Sequence, residues 1–273
     1  FVVYGWGTNG SGQITSPEGV SSVMAIAAGG NQSFALRSDG SVVGWGAAAA
    51  VPNGLSGVVD VKAGNSHALA LKSDGSVWAW GNNSYDQTNV PTELSNVTAI
   101  AAGGDHCLAL KHDTTLICWG RNTSGQATPP AGLSNVTAIA AGRLHSVALI
   151  SDGTVVVWGN NTYGQTNMPA GLSNVTAIAA SGYHTLALKA DGTVVAWGGG
   201  TFDYGQSTVP ADLSNVIAVA AGRYHSLALK NDGTIVGWGL NDSGQINVPT
   251  GISGATAIAG GDYHSLALKP NAE

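Results

Sequence analysis

The chain has 273 residues, a length that a single β-barrel or β-propeller domain can fill. Its net charge is −6 and it has only 10 Lys and Arg residues, which argues against a nucleic-acid-binding protein, because such proteins neutralise phosphates with a basic surface. A hydrophobic fraction of 44% predicts a large folded core, and no apolar run approaches the ~20 residues of a membrane-spanning helix.

Two short motifs recur along the whole chain at nearly constant spacing. Trp-Gly occurs seven times, at intervals of 39, 35, 39, 39, 39 and 41 residues, at Trp6, Trp45, Trp80, Trp119, Trp158, Trp197 and Trp238. A motif close to Gly-x-x-His-x-x-Ala-Leu also occurs seven times, with Gln32 in the His position once and otherwise His67, His106, His145, His184, His225 and His264. Seven copies of a ~40-residue unit of short strands predict an all-β, seven-bladed β-propeller with four-stranded antiparallel blades, as one domain over residues 1–273.

The order of elements follows from hydrophobic alternation and turn residues. The chain begins with the third strand of a blade, Val2 to Trp6, and continues into an outer strand at Gln13. A complete repeat then contains an innermost strand at 175–180, a second strand at 184–189, a two-residue turn at Asp191-Gly192, a third strand at 194–197 and an outer strand at 206–209. The chain ends with a first and a second strand within residues 256–269. We therefore expect the two chain ends to share the seventh blade and close the ring, which hides sheet edges.

Strand direction assigns each loop to one of two faces of the ring. The Gly-x-x-His loops and the loops after the third strands lie on one face, called the top face, and the Asp-Gly turns lie on the bottom face. Six of the seven Tyr and three of the four Arg fall in or beside top-face loops, whereas five of the six Lys lie near the bottom face. Loop length also varies on the top face, because Trp45–Pro52 spans 7 residues and Trp197–Pro210 spans 13, against 11 in the other copies.

These features predict a binding surface on the top face, with Tyr183, Tyr224 and Tyr263 in an arc near the mouth of the central channel. Loop variation on one face of a repeat protein marks its binding face, and Tyr and Arg are enriched at interaction hot spots. The candidate binding residues are Tyr85, Tyr163, Tyr183, Tyr204, Tyr224, Tyr263, Phe202, Arg143, Arg223, Asp105 and Asp262. The alternative is that these side chains only cover strand ends.

The six repeated histidines predict a structural role. One His per blade places neighbours on different sheets, whereas a zinc site needs three or four ligands that converge on one ion. Each imidazole is therefore expected to hydrogen-bond a loop carbonyl at the top of its blade. The sequence lacks a Gly-x-Ser-x-Gly elbow, a His-Glu-x-x-His motif and a phosphate-binding loop, so no catalytic residue, metal or cofactor is expected.

Cys107 and Cys118 lie on strands that are expected to be adjacent. With a two-residue turn at Asp113-Thr114, both face the same side of the sheet in a diagonal register, which is poor geometry for a disulfide and favours free thiols. Thr114 stands where the other turns have Gly, so we expect strain or a different turn type in this hairpin.

The repeat pattern resembles a known family. Trp-Gly-x-Asn, Gly-Gln, Val-Pro, Ala-Ile-Ala-Ala-Gly-x-x-His-Ser-Leu-Ala-Leu-Lys and Asp-Gly are similar, over essentially the whole chain, to the regulator-of-chromosome-condensation repeat in its short bacterial form. Within that family, the secreted propeller that inhibits β-lactamases is similar in repeat length and blade count. The resemblance implies a propeller fold, while the repeat itself serves several functions.

Residues and resemblance together predict a rigid, monomeric, non-catalytic module that binds a protein partner through its top face. Low charge and abundant Asn, Thr, Ser and Gly suggest a secreted or extracytoplasmic bacterial protein that binds neither nucleic acid nor membrane. Three alternatives stay open. The first is a β-lactamase inhibitor, and the second is a carbohydrate-binding lectin in which sugars stack on Tyr163 or Tyr204. The third is a hydrolase that uses top-face His or Asp residues, for example Asp105 with Asp262, with or without a metal.

Overall fold

The computed structural model describes residues 1–47 and 50–271, and its regular elements are short β-strands and one 3-10 helix at Gly200–Phe202. In chain order the strands are β1 Val2–Gly7, β2 Val23–Gly29, β3 Gln32–Arg37, β4 Val42–Gly46, β5 Val58–Ala63, β6 His67–Lys72, β7 Val77–Gly81, β8 Val97–Ala102, β9 His106–Lys111, β10 Leu116–Gly120, β11 Val136–Ala141, β12 His145–Ile150, β13 Val155–Gly159, β14 Val175–Ser181, β15 His184–Lys189, β16 Val194–Gly198, β17 Val216–Ala221, β18 His225–Lys230, β19 Ile235–Gly239, β20 Ala257–Gly260 and β21 His264–Lys269.

The strands form seven antiparallel sheets, which are the seven predicted blades. Blades 1 to 6 are β2–β4, β5–β7, β8–β10, β11–β13, β14–β16 and β17–β19, and blade 7 consists of β20, β21 and β1. In blade 7 the N-terminal strand pairs with the C-terminal one, from Val2 opposite Lys269 to Gly7 opposite His264. This pairing confirms the expected ring closure, and blade 7 packs against both blade 6 and blade 1.

Each sheet has three regular strands in the described residues, not the predicted four. The segment expected to be the outer strand is held by side chains of the next blade instead of a backbone ladder. For example, Gln126 lies in the segment that follows the third strand of blade 3. Its carbonyl accepts hydrogen bonds from two side chains of blade 4, Trp158 Nε1 at 3.0 Å and Ser146 Oγ at 2.8 Å. The Gln126 side chain is itself buried, and its Oε1 accepts the N–H of Ser124 at 2.8 Å. Because these groups bond to side chains, they do not extend the sheet.

The hydrophobic core is a series of layers between neighbouring blades. The second strand of each blade is buried on both faces, because successive side chains point to opposite sides of the sheet. In β15, Leu186 and Leu188 pack against Ala228 and Trp238 of blade 6. The opposite face of the strand carries Ala187, which packs toward blade 4. The same Leu-to-Ala-and-Trp contact repeats around the ring, including the contact that joins blade 7 to blade 1.

The bottom-face turns contain three residues rather than the predicted two. In blade 5, Lys189 N–H donates to the Thr193 carbonyl at 2.9 Å, and Gly192, the last turn residue, has φ +78°. This pattern corresponds to a type I turn followed by one residue in the left-handed region. Asp191 stabilises the turn by accepting hydrogen bonds from the N–H and hydroxyl of Thr193.

The longer turn also changes the expected position of the cysteines. Cys107 lies opposite Trp119 and Cys118 lies opposite Leu108, so the two thiols point to opposite faces of the sheet. Shifting a register by one residue exchanges the faces of all side chains, which is why the two-residue turn misplaced Cys118. Both cysteines are free, and burial raises the pKa of Cys118 to about 12.

Candidate functional site

The top face is organised around seven loops that join the first and second strands of the blades at the mouth of the central channel. These mouth loops are residues 30–31, 64–66, 103–105, 142–144, 182–183, 222–224 and 261–263. Backbone hydrogen bonds tie adjacent mouth loops together, for example Arg143 N–H to the Gly182 carbonyl at 3.1 Å and Arg223 N–H to the Gly261 carbonyl at 3.2 Å. These bonds hold the attached side chains in fixed positions around a mouth cavity of about 90 Å³.

Six aromatic side chains on the top face of blades 4 to 7 contact one another and form the aromatic patch. Its members are Tyr163, Tyr183, Phe202, Tyr204, Tyr224 and Tyr263. Along the mouth, the ring centroids of Tyr183 and Tyr224 are 5.8 Å apart, and those of Tyr224 and Tyr263 are also 5.8 Å apart. Tyr204 meets Tyr224 edge-on at 5.4 Å. The structure thus brings the predicted arc and its neighbours into one continuous surface.

Phe202 joins the patch because its loop is the longest on the top face. The 3-10 helix Gly200–Phe202 lies in the loop of 13 residues between Trp197 and Pro210. Phe202 stacks on Tyr183 with ring centroids 5.2 Å apart and meets Tyr163 edge-on at 5.0 Å. The two residues that lengthen this repeat therefore place one more ring in the patch.

The aromatic patch has a buried base and an exposed edge. Tyr183 and Tyr224 are only 9% and 7% exposed, whereas Tyr204 is 51% exposed. Tyr183 and Tyr224 therefore form the buried base of the patch, where they contact the neighbouring rings. Burial also raises the pKa of Tyr224, so its hydroxyl stays protonated.

Two charged residues of the mouth loops pair beside the patch. Arg223 Nη1 and Asp262 Oδ2 are 3.2 Å apart, and the Arg223 guanidinium lies 5.1 Å from the Tyr224 ring centroid. Burial raises the pKa of Asp262, and the facing guanidinium only partly offsets that effect. Arg143 approaches from blade 4, with its guanidinium 5.8 Å from the Tyr183 ring centroid.

Tyr85 and Asp105 lie on the same face but in a separate cluster on blades 2 and 3. Arg121 connects them, because it pairs with Asp105 at 3.4 Å and lies 4.8 Å from the Tyr85 ring centroid. Arg121 was absent from the predicted set, although it directly follows the Trp-Gly pair that opens a top-face loop. The predicted residues therefore form two surfaces.

The repeated histidines connect neighbouring blades through side chains, so the prediction of a bond to a loop carbonyl is wrong. In blade 3, His106 Nε2 lies 2.8 Å from the hydroxyl of Ser146 in blade 4, and that hydroxyl donates to the Gln126 carbonyl. The imidazole is therefore the donor, with its proton on Nε2. Equivalent contacts join His67 to Cys107 Sγ, His145 to Thr185, His184 to Ser226, His225 to Ser265 and His264 to Ser33.

All six histidines are fully buried in these contacts. Burial lowers their pKa from 6.5 to about 3 for His106, His184 and His225 and to about 4 for His67, His145 and His264. Within residues 1–47 and 50–271, no three His, Cys, Asp or Glu side chains converge in a way that could hold a metal ion. A membrane-spanning helix is likewise absent from the part of the chain that the structure describes.

The fold and its mouth loops define a class of protein: a seven-bladed propeller assembled from a sequence repeat, with an aromatic surface at one end of the channel. The family model for the regulator of chromosome condensation (RCC1) repeat matches residues 58–87, 97–126, 136–165, 175–206 and 216–245. These segments cover more than half of the chain, which therefore belongs to the RCC1 repeat family.

Solved structures with the same architecture come from several organisms. Prp20p of Saccharomyces cerevisiae, studied for its binding to Gsp1p and histones, has a TM-score of 0.81 and 20% identity, covering 98% of this chain and 92% of that chain. Human WBSCR16 has a TM-score of 0.79 and 20% identity, covering 98% and 100%. The ectodomain of the Physcomitrella patens receptor kinase CR4 has a TM-score of 0.73 and 25% identity, covering 88% and 69%. No curated protein sequence matches this chain significantly.

Proposed function

We propose that this chain is a non-catalytic protein-interaction module that binds a macromolecular partner through the aromatic patch on its top face. The observation that carries the proposal is the continuous contact of six aromatic rings, which ends in the half-exposed ring of Tyr204. Contiguous exposed aromatic surface marks interaction sites, and Tyr beside Arg is the composition of hot spots.

Solved relatives support a binding role. Prp20p is described with binding properties to Gsp1p and histones, and the same yeast propeller has been solved bound to Kap60. Since a protein with this propeller architecture binds other proteins, we infer a binding role here as well, with a partner of its own.

The proposal is tested by capturing partners with the purified chain from cells and secreted fractions of its source and then measuring their affinity. Tyr204→Ala removes the exposed edge of the aromatic patch, and we expect it to weaken binding by roughly tenfold or more. Tyr85→Ala is the matched control, because Tyr85 is a similarly exposed top-face Tyr in the other cluster. Equal affinity of Tyr204→Ala and the parent chain would contradict the proposal.

A purified serine β-lactamase belongs in the same titration. The mouth loops carry Tyr183, Tyr224, Tyr263 and Asp105 but have Leu144 and Ser66 at the corresponding positions of other blades. Because only three of the seven mouth loops carry a Tyr at this position, the resemblance to the β-lactamase-inhibiting propeller does not decide the question, and inhibition has to be measured directly. Inhibition that Tyr204→Ala abolishes would identify the partner, and a lack of inhibition would limit the proposal to other proteins.

A further inference from the structure

Seven residues line the rim of the channel mouth, one from each mouth loop. Each directly follows the first residue of the Gly-x-x-His motif, which is Gly in six copies and Ser181 in blade 5. In chain order the rim residues are Gly30, Asn65, Gly104, Arg143, Gly182, Arg223 and Asp262. Three of these positions are Gly and leave the rim open. The charged side chains are two Arg and one Asp, so this part of the rim carries a net positive charge.

The two arginines differ in how their charges are compensated. Arg223 forms the 3.2 Å ion pair with Asp262 and lies between the rings of Tyr224 and Tyr263. Arg143 contacts the face of Tyr183 and forms no ion pair with a carboxylate among the described residues, although its charge helps to offset the raised pKa of Asp262. Gly182, between the two arginines on the rim, adds no side chain that would block access to the Arg143 guanidinium.

We propose that the channel mouth binds a carboxylate of the protein partner, an Asp or Glu side chain, with Arg143 as its anchor. The proposal rests on the proposed function and deepens it by stating the chemistry of the partner's contact segment. A guanidinium binds carboxylate through charge-assisted hydrogen bonds. The mouth cavity of about 90 Å³ admits the tip of one side chain.

The position of Arg143 relative to the aromatic patch further defines that segment. Three contacts, each shorter than 6 Å, lead from Arg143 through Tyr183 and Tyr224 to the exposed ring of Tyr204. An extended chain advances about 3.3 Å per residue, so roughly five residues separate the two ends of this path. The partner segment therefore carries an acidic residue within about five positions of an apolar or aromatic one.

The carboxylate site can be tested without the natural partner. The probes are N-acetyl-glutamate amide and, as its uncharged match, N-acetyl-glutamine amide, titrated into ¹⁵N-labelled protein while the Nε–H signals of the four arginines are recorded by NMR. We expect the glutamate probe to shift the Arg143 signal saturably and the glutamine probe to leave it unchanged. Arg121, already paired with Asp105, should not respond. No shift at Arg143, or equal shifts at all four arginines, would overturn the proposal.

The second test uses any partner captured through the aromatic patch. Arg143→Gln should weaken the binding of that partner by about 10- to 100-fold, which is the range for losing a hydrogen bond to a charged group. Arg121→Gln should leave the affinity unchanged. Arg143→Lys keeps the charge and should retain part of the affinity. If Tyr204→Ala weakens binding but Arg143→Gln does not, the carboxylate site is wrong while the proposed function stands. If neither variant matters, the proposed function itself fails.

Discussion

At the level of single residues, each histidine and the hydroxyl or thiol that it contacts in the next blade behave as one unit. Between blades 1 and 2 the hydroxyl position is Ala68, and there the histidine position is Gln32. The Gln32 amide donates instead to the carbonyls of Gly64 at 3.1 Å and His67 at 2.7 Å. A buried imidazole would lose its acceptor opposite Ala68, and a buried donor without an acceptor is costly. Gln at the first position therefore suits the missing hydroxyl at the second.

This coupling predicts a non-additive double-mutant cycle. His106→Ala and Ser146→Ala should each lower the free energy of unfolding, and the double variant should lose about 1 kcal/mol less than the sum, because the shared hydrogen bond is lost only once. Chemical denaturation of the four proteins measures the difference. His106→Ala combined with Ser265→Ala is the control and should be additive, because Ser265 lies in blade 7, three blades beyond Ser146.

Thr114 predicts a gain in stability from a single substitution. It has φ +66°, whereas the matching turn residue in blade 4 is Gly153 at φ +82°. A β-branched residue in this region is strained, so Thr114→Gly should raise the free energy of unfolding by about 1 kcal/mol. The reverse change, Gly153→Thr, should lower it by a similar amount. Unchanged thermal midpoints for both variants would show that the turns tolerate either residue.

At the level of elements, the junction between blades 1 and 2 differs from the other six. It lacks the contact between a histidine and a hydroxyl or thiol of the next blade, and the top-face loop after Trp45 is four residues shorter and contains no Gln. Within the described residues, Trp80 Nε1 has no hydrogen-bond partner, whereas Trp119 Nε1 donates to the Gln87 carbonyl. Phe34 takes the place of the usual Leu and meets Trp80 edge-on at 5.6 Å.

We expect this junction to depend on Gln32. Gln32→His should lower the free energy of unfolding by about 1–3 kcal/mol, because it removes the bonds to two carbonyls and gives the imidazole no hydroxyl. Adding Ala68→Ser should recover part of that loss. Denaturation midpoints of the single and double variants give the comparison, and a single variant as stable as the parent chain would contradict this explanation.

The elements also show what the sequence can and cannot predict. The alternation in segments such as His184–Lys189 and the regular Trp-Gly spacing determine the blades and the closure of the ring, because each strand must bury both faces. The turn at Asp191-Gly192 was mispredicted because Asp-Gly suits loops of two and of three residues, and the choice depends on the bonds of Lys189 and Thr193. The inclusion of Phe202 in the aromatic patch depends on the path of one long loop, which has no periodic signal.

At the level of the whole molecule, the buried histidines make stability depend on pH. Their pKa values of about 3 to about 4 lie below the ordinary 6.5, so the unfolded chain binds more protons than the folded one between these values. Their contribution is complete above pH 6.5 and is lost as the pH falls toward about 4. Each histidine that is protonated only on unfolding contributes up to ~1.4 kcal/mol per pH unit to that loss. Burial raises the pKa of Asp262, so the folded chain holds a proton at this carboxyl more readily than the unfolded chain does. This favours the folded state as the pH falls and opposes the effect of the histidines, but it comes from one carboxyl against six imidazoles.

Denaturant midpoints measured across this pH range test the prediction. A variant with His145→Gln and Thr185→Ala copies the junction between blades 1 and 2 and should reduce the pH slope by about one proton. A stability that does not change between neutral pH and pH 4 would mean that the histidines are not buried in the neutral form.

The most direct test of the proposed function is a hydrogen-exchange footprint of the chain with and without its captured partner. We predict slower exchange at residues 182–183, 222–224 and 261–263 and in the long loop at residues 199–206, because these backbone groups surround the aromatic patch. The bottom-face turns should exchange at unchanged rates. Slower exchange confined to the bottom-face turns, with the mouth loops unchanged, would show that the partner binds elsewhere.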